Sequence, residues 1–341
     1  MALERSVLTA QDARALLHAH YGLHLSSLER LAMGTANCYK VYADSGRFFL
    51  KEFPSSFTPE DAAIEYALLQ HLAANSFPVA RILPTLDNTA HFQFCGHVFC
   101  LQEFAEGRSF GYDDFPGELL PAMAQTLGRL HAVLRGYPLA RFRADKWFCT
   151  FSGNDLHAEY TGLLSSVPSD DPYAERIRAD LAYKSELALR CEDYRPLCEG
   201  VTFTASHGDY HGCQLICEGS RIKAVTDFSG ACVLPAVWEI IRSFAQSSSP
   251  CRETAAIDPD ALAGYVSEYM RFAPLTRADL RAMPYVYLLQ LARSKYGYPQ
   301  YLRAGGEENL PMLRFALWRT DICRELESKA VILSERLQKL L

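Results

Sequence analysis

The fold is decided by Ser206-His207-Gly208-Asp209-Tyr210-His211-Gly212-Cys213-Gln214-Leu215, followed at short range by Ile222-Lys223-Ala224-Val225-Thr226-Asp227-Phe228. The first run follows an apolar, strand-like segment at 202–206 and is itself loop-like. The second is a strand at 222–226 that delivers a carboxylate. The sequence predicts that these two strands are joined through the turn Glu218-Gly219-Ser220, with their ends close together. Asp209, Gln214 and Asp227 are then expected to converge on one point. Two carboxylates and an amide oxygen form a hard-oxygen set suited to Mg2+ carrying a phosphate ligand.

Working outward, Phe48-Phe49-Leu50-Lys51-Glu52 places a lysine inside an apolar strand. An ammonium there is unfavourable unless an anion accompanies it. Around it, strands are predicted at 27–31, 38–42 and 47–53, the last two joined by Ala43-Asp44-Ser45-Gly46. A helix opens at Thr9 with Asp12 as capping partner, and another runs from Pro59 to near Asn75. A second hairpin, 91–94 and 97–102, turns at Cys95-Gly96. After Gly107 helices dominate, at 118–134, 174–191, 237–245, 259–271, 277–295, 313–327 and 329–341. Strands first and helices later indicate an α+β chain of two lobes, a β-rich portion at 1–104 and a mostly helical one at 105–341.

The quoted residues, HGDYHGCQ followed by VTDF, resemble the HGDxxxxN…(I/V)DF signature of the aminoglycoside phosphotransferase/choline kinase superfamily, to which type II homoserine kinases and spore-coat kinase-like proteins also belong. The resemblance implies a protein-kinase-like two-lobe fold and a use of ATP and Mg2+. It implies that Asp209 is the catalytic aspartate facing the acceptor hydroxyl, and that Gln214 and Asp227 hold the metal. Gln214 stands where the family has Asn, one carbon longer. Lys51 would bind the ATP phosphates and pair with an acid on the next helix, for which Glu65 is the candidate. Met33-Gly34-Thr35-Ala36-Asn37 resembles the phosphate-covering turn, which puts Gly34 and Thr35 at the nucleotide. Leu101-Gln102-Glu103-Phe104-Ala105-Glu106-Gly107 resembles the hinge, where backbone groups of Glu103 and Phe104 would meet adenine. Leu127-Gly128-Arg129-Leu130-His131 resembles a further family helix, and Glu239 stands near an acid that anchors the catalytic region. The likeness runs from about residue 30 to 245.

Composition narrows the function. The 341 residues are 49% hydrophobic, enough for a substantial core, and carry 34 Lys plus Arg against 40 Asp plus Glu, a formal charge of −6. A mildly acidic chain lacks the footprint of a nucleic-acid binder, and no apolar run is long enough for a membrane span. The N-terminal residues have no secretory pattern, and the 11 cysteines form no CxxC pair, so a cytoplasmic protein with reduced thiols is expected. The leading expectation is a kinase phosphorylating a hydroxyl of a small metabolite: an amino alcohol, hydroxy amino acid, sugar or aminoglycoside. The negative charge is compatible with a cationic acceptor. Two other readings compete. One is a kinase-like binding or scaffold protein without catalysis. The other is a metal-dependent hydrolase using His207, Asp209 and His211 as zinc ligands. Glu239 and Arg242, three apart on a helix, are also expected to be able to pair with one another. Tyr285, Tyr287, Tyr296, Tyr298 and Tyr301 read as packing more than as an acceptor pocket.

Overall fold

A computed structural model describes residues 4–31, 36–139 and 151–341. They form two compact units: Met1–Ser109 with Gln214–Ala231, and Phe110–Cys213 with Cys232–Leu341. The sequence places a boundary at 104/105; here the first unit continues to Ser109 and takes back the short excursion Gln214–Ala231.

The first unit opens with α1 (Ala10–Tyr21). The Thr9 hydroxyl accepts from the Asp12 amide at 3.1 Å while the Asp12 carboxylate accepts from the Thr9 amide at 3.3 Å. This reciprocal cap satisfies amides that the first turn leaves unpaired. Five antiparallel strands follow: β1 (Leu25–Leu31), β2 (Asn37–Ala43), β3 (Gly46–Glu52), β4 (Phe92–Phe94) and β5 (His97–Glu103), in the spatial order β1-β2-β3-β5-β4. Between β3 and β4 the chain forms α2 (Pro59–Ala74), capped by Thr58 and Asp61 in the same way as α1. Leu17, Val41, Leu50, Phe92, Phe99 and Leu101 make the core between α1 and the sheet.

The excursion supplies the hairpin β7 (Leu215–Glu218) and β8 (Arg221–Val225). It is tied to the rest of the unit by paired backbone bonds between Arg108 and Cys217, both 2.8 Å, and by Val225 N–H donating to the Pro78 carbonyl at 2.9 Å. Gly107 permits this approach. Its φ is +146°, and a Cβ there would lie 2.7 Å from the Cys217 carbonyl oxygen.

Helices make most of the second unit: α3 (Leu120–Val133), α4 (Gly153–Ser165), α5 (Ala174–Tyr194), α6 (Ala236–Ser247), α7 (Ser249–Thr254), α8 (Pro259–Met270), α9 (Arg277–Arg293), α10 (Tyr298–Ala304) and α11 (Leu310–Gln338). Its only sheet among the described residues pairs β6 (Phe203–Ser206) with β9 (Cys232–Pro235), antiparallel. Tyr160, Ile177, Leu181, Tyr298 and Leu313 pack at the centre of one core. Among the described residues no helix is long and apolar enough to cross a membrane.

Three expectations change. The segments 202–206 and 222–226 are not one hairpin, because β6 pairs with β9 and β8 with β7, which the sequence reading left inside the loop. The two C-terminal helices are one. Ser328, the residue between them, returns its hydroxyl to the Glu325 carbonyl at 2.9 Å, and Lys329 pairs with Glu325 at 2.7 Å, so no donor or acceptor is left to end the helix. Helices α4, α7 and α10 lie outside the sequence expectation. The last two have only six and seven residues, and α4 lies so close to α5 that a Cβ on Gly153 would fall 2.7 Å from the Ala188 carbonyl.

Candidate active site

In the first unit the site begins with Lys51 on β3. Its neighbours in register are Cys38 on β2 and Cys100 on β5, so the ammonium rises from the middle of the sheet and is 6% exposed. It donates to the Asp227 carboxylate at 2.6 Å, a contact between residues 176 positions apart. Burial alone would lower the lysine pKa, but Asp227 and Glu65 together hold it above its ordinary value. Glu65, buried on α2, therefore joins Lys51 through its charge, while the direct hydrogen bond goes to Asp227. The Cys38 thiol beside this pair is pushed up to about 11 by burial.

Asp227 follows β8 with φ 62° and ψ 63°, a left-handed conformation that Asp tolerates better than most side chains. Its carboxylate also accepts from the Ser229 hydroxyl at 2.6 Å. The amide and hydroxyl of Thr226 both donate to the Gln214 carbonyl, at 2.9 and 3.1 Å, so the start of β7 runs beside the residue that precedes Asp227. A carboxylate and a side-chain amide oxygen on this hairpin are hard donors, and the donor set fits a divalent cation of the Mg2+ kind.

The other residues assigned to the nucleotide lie as follows. Gly34 and Thr35 lie outside the described residues. Glu103 ends β5; its carboxylate accepts from Arg81 Nε at 3.0 Å and its amide donates to the Arg81 carbonyl at 2.9 Å. The Phe104 ring sits under Lys40 and Arg47, at 5.0 and 5.5 Å. Side chains at both positions are thus engaged, and the Glu103 amide is taken by Arg81.

The second unit carries the loop that holds Asp209. Strand β6 delivers it, and α6 grips it from one face. Glu239, in the first turn of α6 and fully buried, accepts from the His207 amide at 3.1 Å and the Gly208 amide at 2.6 Å. The same carboxylate lies 3.1 Å from His131 Nε2 on α3, and His131 Nδ1 lies 2.8 Å from the Tyr269 hydroxyl. Burial raises the Glu239 pKa, yet these partners outweigh it and hold the group ionised. One turn along, Arg242 reaches the Asp209 carboxylate itself. The pair expected between Glu239 and Arg242 is therefore absent: both point at the loop, one binding its amides and the other its acid.

Within the loop the Asp209 amide donates to His207 Nδ1 at 3.2 Å and the Cys213 amide to His211 Nδ1 at 3.3 Å. Both rings therefore present Nδ1 as an acceptor. His211 Nε2 lies 3.6 Å from Asp209 and 3.3 Å from the Tyr112 hydroxyl, with the Tyr112 ring stacked on the imidazole at 4.8 Å. Gly212 allows the turn to close against Phe115, since a Cβ would meet that ring at 2.5 Å. Burial pushes the Asp209 carboxyl up, but Arg242 and then His211 more than offset it, holding the pKa well below the usual carboxylate range. Burial lowers the His211 pKa, which keeps that ring neutral at pH 7. Among the described residues no three His, Cys, Asp or Glu side chains are grouped as a metal site, so the zinc-hydrolase reading lacks a ligand set.

An ionised carboxylate held by a guanidinium is a weak base but a strong hydrogen-bond acceptor. It suits the orientation of a hydroxyl better than early removal of its proton. Sequence reasoning had named Asp209, Lys51, Asp227 and Glu239 but not Arg242 as the partner of Asp209, nor Tyr112 as the cover of His211. Neither carries a local sequence signal.

Residues 27–275 match the model of the phosphotransferase enzyme family. The homoserine kinase of Zymomonas mobilis subsp. mobilis is 23% identical over 221 residues, 63% of each chain, so this chain spans less than two thirds of that relative. In fold, a spectinomycin phosphotransferase bound to ADP and spectinomycin superposes with a TM-score of 0.67 at 14% identity, covering 97% of this chain and all of the other. An amicoumacin kinase in complex with AMP-PNP and Ca2+ gives 0.62 at 16% identity, covering 93% and 94%.

Proposed function

Because this chain belongs to the phosphotransferase enzyme family, we propose that it transfers the terminal phosphoryl group of ATP to a hydroxyl of a small metabolite. The hydroxyl oxygen forms a bond to the γ-phosphorus, the bond from that phosphorus to the β,γ-bridging oxygen breaks, and ADP leaves with the electron pair. Lys51 binds the α- and β-phosphates. Gln214 and Asp227 are the residues to hold Mg2+, which when bound neutralises charge on the phosphate oxygens. Asp209 accepts a hydrogen bond from the acceptor hydroxyl, orients its oxygen, and takes the proton as phosphoryl transfer proceeds. Phosphoryl transfer asks mainly for positioning and charge neutralisation, which is what a low-pKa aspartate and a buried lysine supply. Gly34 and Thr35 are assigned to the phosphates, and main-chain groups at about Glu103 and Phe104, other than the Glu103 amide, to adenine. Dependence on ATP agrees with a cytoplasmic protein.

The observation that carries this reading is the 2.6 Å pair between Lys51 and Asp227. It joins, inside one unit, the two residues independently assigned to the phosphates and to the metal. The test is ADP release by the purified protein with Mg·ATP across a panel of hydroxylated metabolites, with Asp209→Asn as control. Acceptor-dependent release that the variant loses supports the assignment. Release undiminished in the variant, or none with any acceptor, defeats it; binding of Mg·ATP without turnover would point instead to a scaffold.

A further inference from the structure

The charges around Asp209 do not balance within the second unit. Arg242 on α6 pairs with Asp209. Arg252 on α7 and Arg319 on α11 add two more guanidinium groups, and both rest on one ring, at 5.8 and 5.5 Å from the centre of Phe315. Phe315 is 6.0 Å from the Tyr112 ring, which lies 5.4 Å from Arg252 and is stacked on His211, the neighbour of Asp209. The circuit closes on the other side. Arg319 interacts electrostatically with Tyr287 and Arg242, and Arg242 with Tyr287 and Asp209. Three cations and three aromatic rings are thus linked to one aspartate, Arg242 directly and the other two through Tyr112, Phe315 and Tyr287.

Their counter-charges are few. Arg252 pairs at 2.9 Å with Asp113, whose side chain is 84% exposed. Arg319 is 9% exposed, and no carboxylate among the described residues lies within ion-pairing distance of it. Arg252 Nε and Nη1 and Arg242 Nη1 are buried without a hydrogen-bond partner among the described residues. A guanidinium stays charged, has five N–H donors and loses much of its hydration on burial, so donors left in this state destabilise the empty protein. Burial, with repulsion from Arg242, lowers even the Arg319 pKa. Such an uncompensated group points to an anion that arrives with the ligand.

Resting on the phosphotransferase reading above, we propose that the acceptor is a hydroxylated carboxylic acid whose carboxylate is held by Arg319 and Arg252, with its hydroxyl turned to Asp209. The planar fork of an arginine matches a carboxylate through two parallel hydrogen bonds. The Phe315, Tyr112 and Trp318 rings, the last 4.6 Å from Arg252, hold the guanidinium planes in place while the anion is absent. The chain's overall charge of −6 is compatible with a cationic acceptor, but the local charge at the proposed acceptor site has the opposite sign.

The experiment is calorimetric binding to the full chain of acceptor pairs that differ only in the anion: L-homoserine against 3-amino-1-propanol, L-serine against ethanolamine, and glycerol 3-phosphate against glycerol. At least one carboxylate should bind about tenfold or more tighter than its decarboxylated twin. Arg319→Met should reduce that preference to about twofold or less without lowering Tm, and Arg319→Lys should restore part of it. Carboxylates no tighter than their twins, including a panel in which neither binds, overturn the proposal. So does preference for the phosphate compound, or a carboxylate preference that survives Arg319→Met. Mg·ATP binding and ADP release, measured on the same samples, separate the two readings. A failed phosphotransferase reading leaves the carboxylate preference without turnover, whereas a failed acceptor assignment leaves turnover with uncharged alcohols.

Discussion

The two units carry opposite imbalances of buried charge. In the first, one ammonium, Lys51, faces two carboxylates, Asp227 and Glu65. In the second, Arg242 pairs with Asp209 and Arg252 with the exposed Asp113, while Arg319 beside them has no carboxylate within ion-pairing distance among the described residues. Neither arrangement is what folding alone selects, because an unmatched buried charge lowers stability. On the proposed function each surplus is the complement of a ligand: negative where a divalent cation is assigned, positive where the acceptor's anion is assigned. Glu239 shows the contrast with a purely structural charge. Its carboxylate is fully buried and its oxygens are matched by two amides and a histidine.

The sharpest way to break this comparison is to neutralise the one acid in the positive group. Asp209→Asn keeps the side-chain shape and should lower kcat by about 10²–10⁴-fold with little change in the KM for ATP. Steady-state ADP release at saturating acceptor decides it, and a loss below tenfold would remove Asp209 from the chemistry. Next is the matched charge. Glu239→Ala strands the His207 and Gly208 amides and His131, so urea denaturation should show a loss of about 3 kcal/mol. An unchanged midpoint would mean that the loop does not depend on α6.

A smaller effect is expected where the surplus is negative. Lys51→Met removes a cation that faces both Asp227 and Glu65. Breaking a buried pair destabilises by about 3–5 kcal/mol, but the Asp227 side chain is 39% exposed, so about 2 kcal/mol is the expected loss. Mg2+ should raise Tm more in this variant than in the wild type, since it replaces the missing positive charge. Equal shifts in both proteins would show that the cation binds elsewhere.

What was legible in the sequence follows the range of the interactions. Thr9 with Asp12, and Thr58 with Asp61, are caps closed within four residues, and both helices begin where those residues place them. The first sheet was readable because four of its strands form hairpins across short turns, β2 with β3 at Asp44-Ser45 and β4 with β5 at Cys95-Gly96. Strands β7 and β9 were not, since each has four residues and β9 pairs with a strand nearly thirty positions away. The same limit governs the site. Lys51 stands out through its apolar strand, and Asp209 and Asp227 through their resemblance to the HGDxxxxN…(I/V)DF signature. Arg252 and Arg319 lie on different helices and look like ordinary surface charges until the fold sets both on Phe315. Arg242 was visible but paired with the wrong acid, because an i,i+3 spacing places two side chains on one face without saying what that face meets.

The mildest test uses a further cation of the second unit, one that Arg319 repels. Lys184 on α5 is buried and donates to the Leu291 and Ser294 carbonyls at 2.9 and 2.5 Å. Burial pulls its pKa down to about 8, against about 10.4 in an unfolded chain. Between those values the unfolded chain binds more protons than the folded one, so this residue makes stability rise with pH from about 8 to about 10, and its protonated form weakens the fold below that window. Buried thiols act in the opposite sense, Cys191 being pushed up to about 12 and Cys323 to about 11 by the same desolvation. The informative quantity is therefore the wild type minus Lys184→Met. Denaturation midpoints at half-unit steps should give a difference in slope of about 1 kcal/mol per pH unit across the window. Parallel curves would mean that the amine stays protonated on its two carbonyls across the whole window.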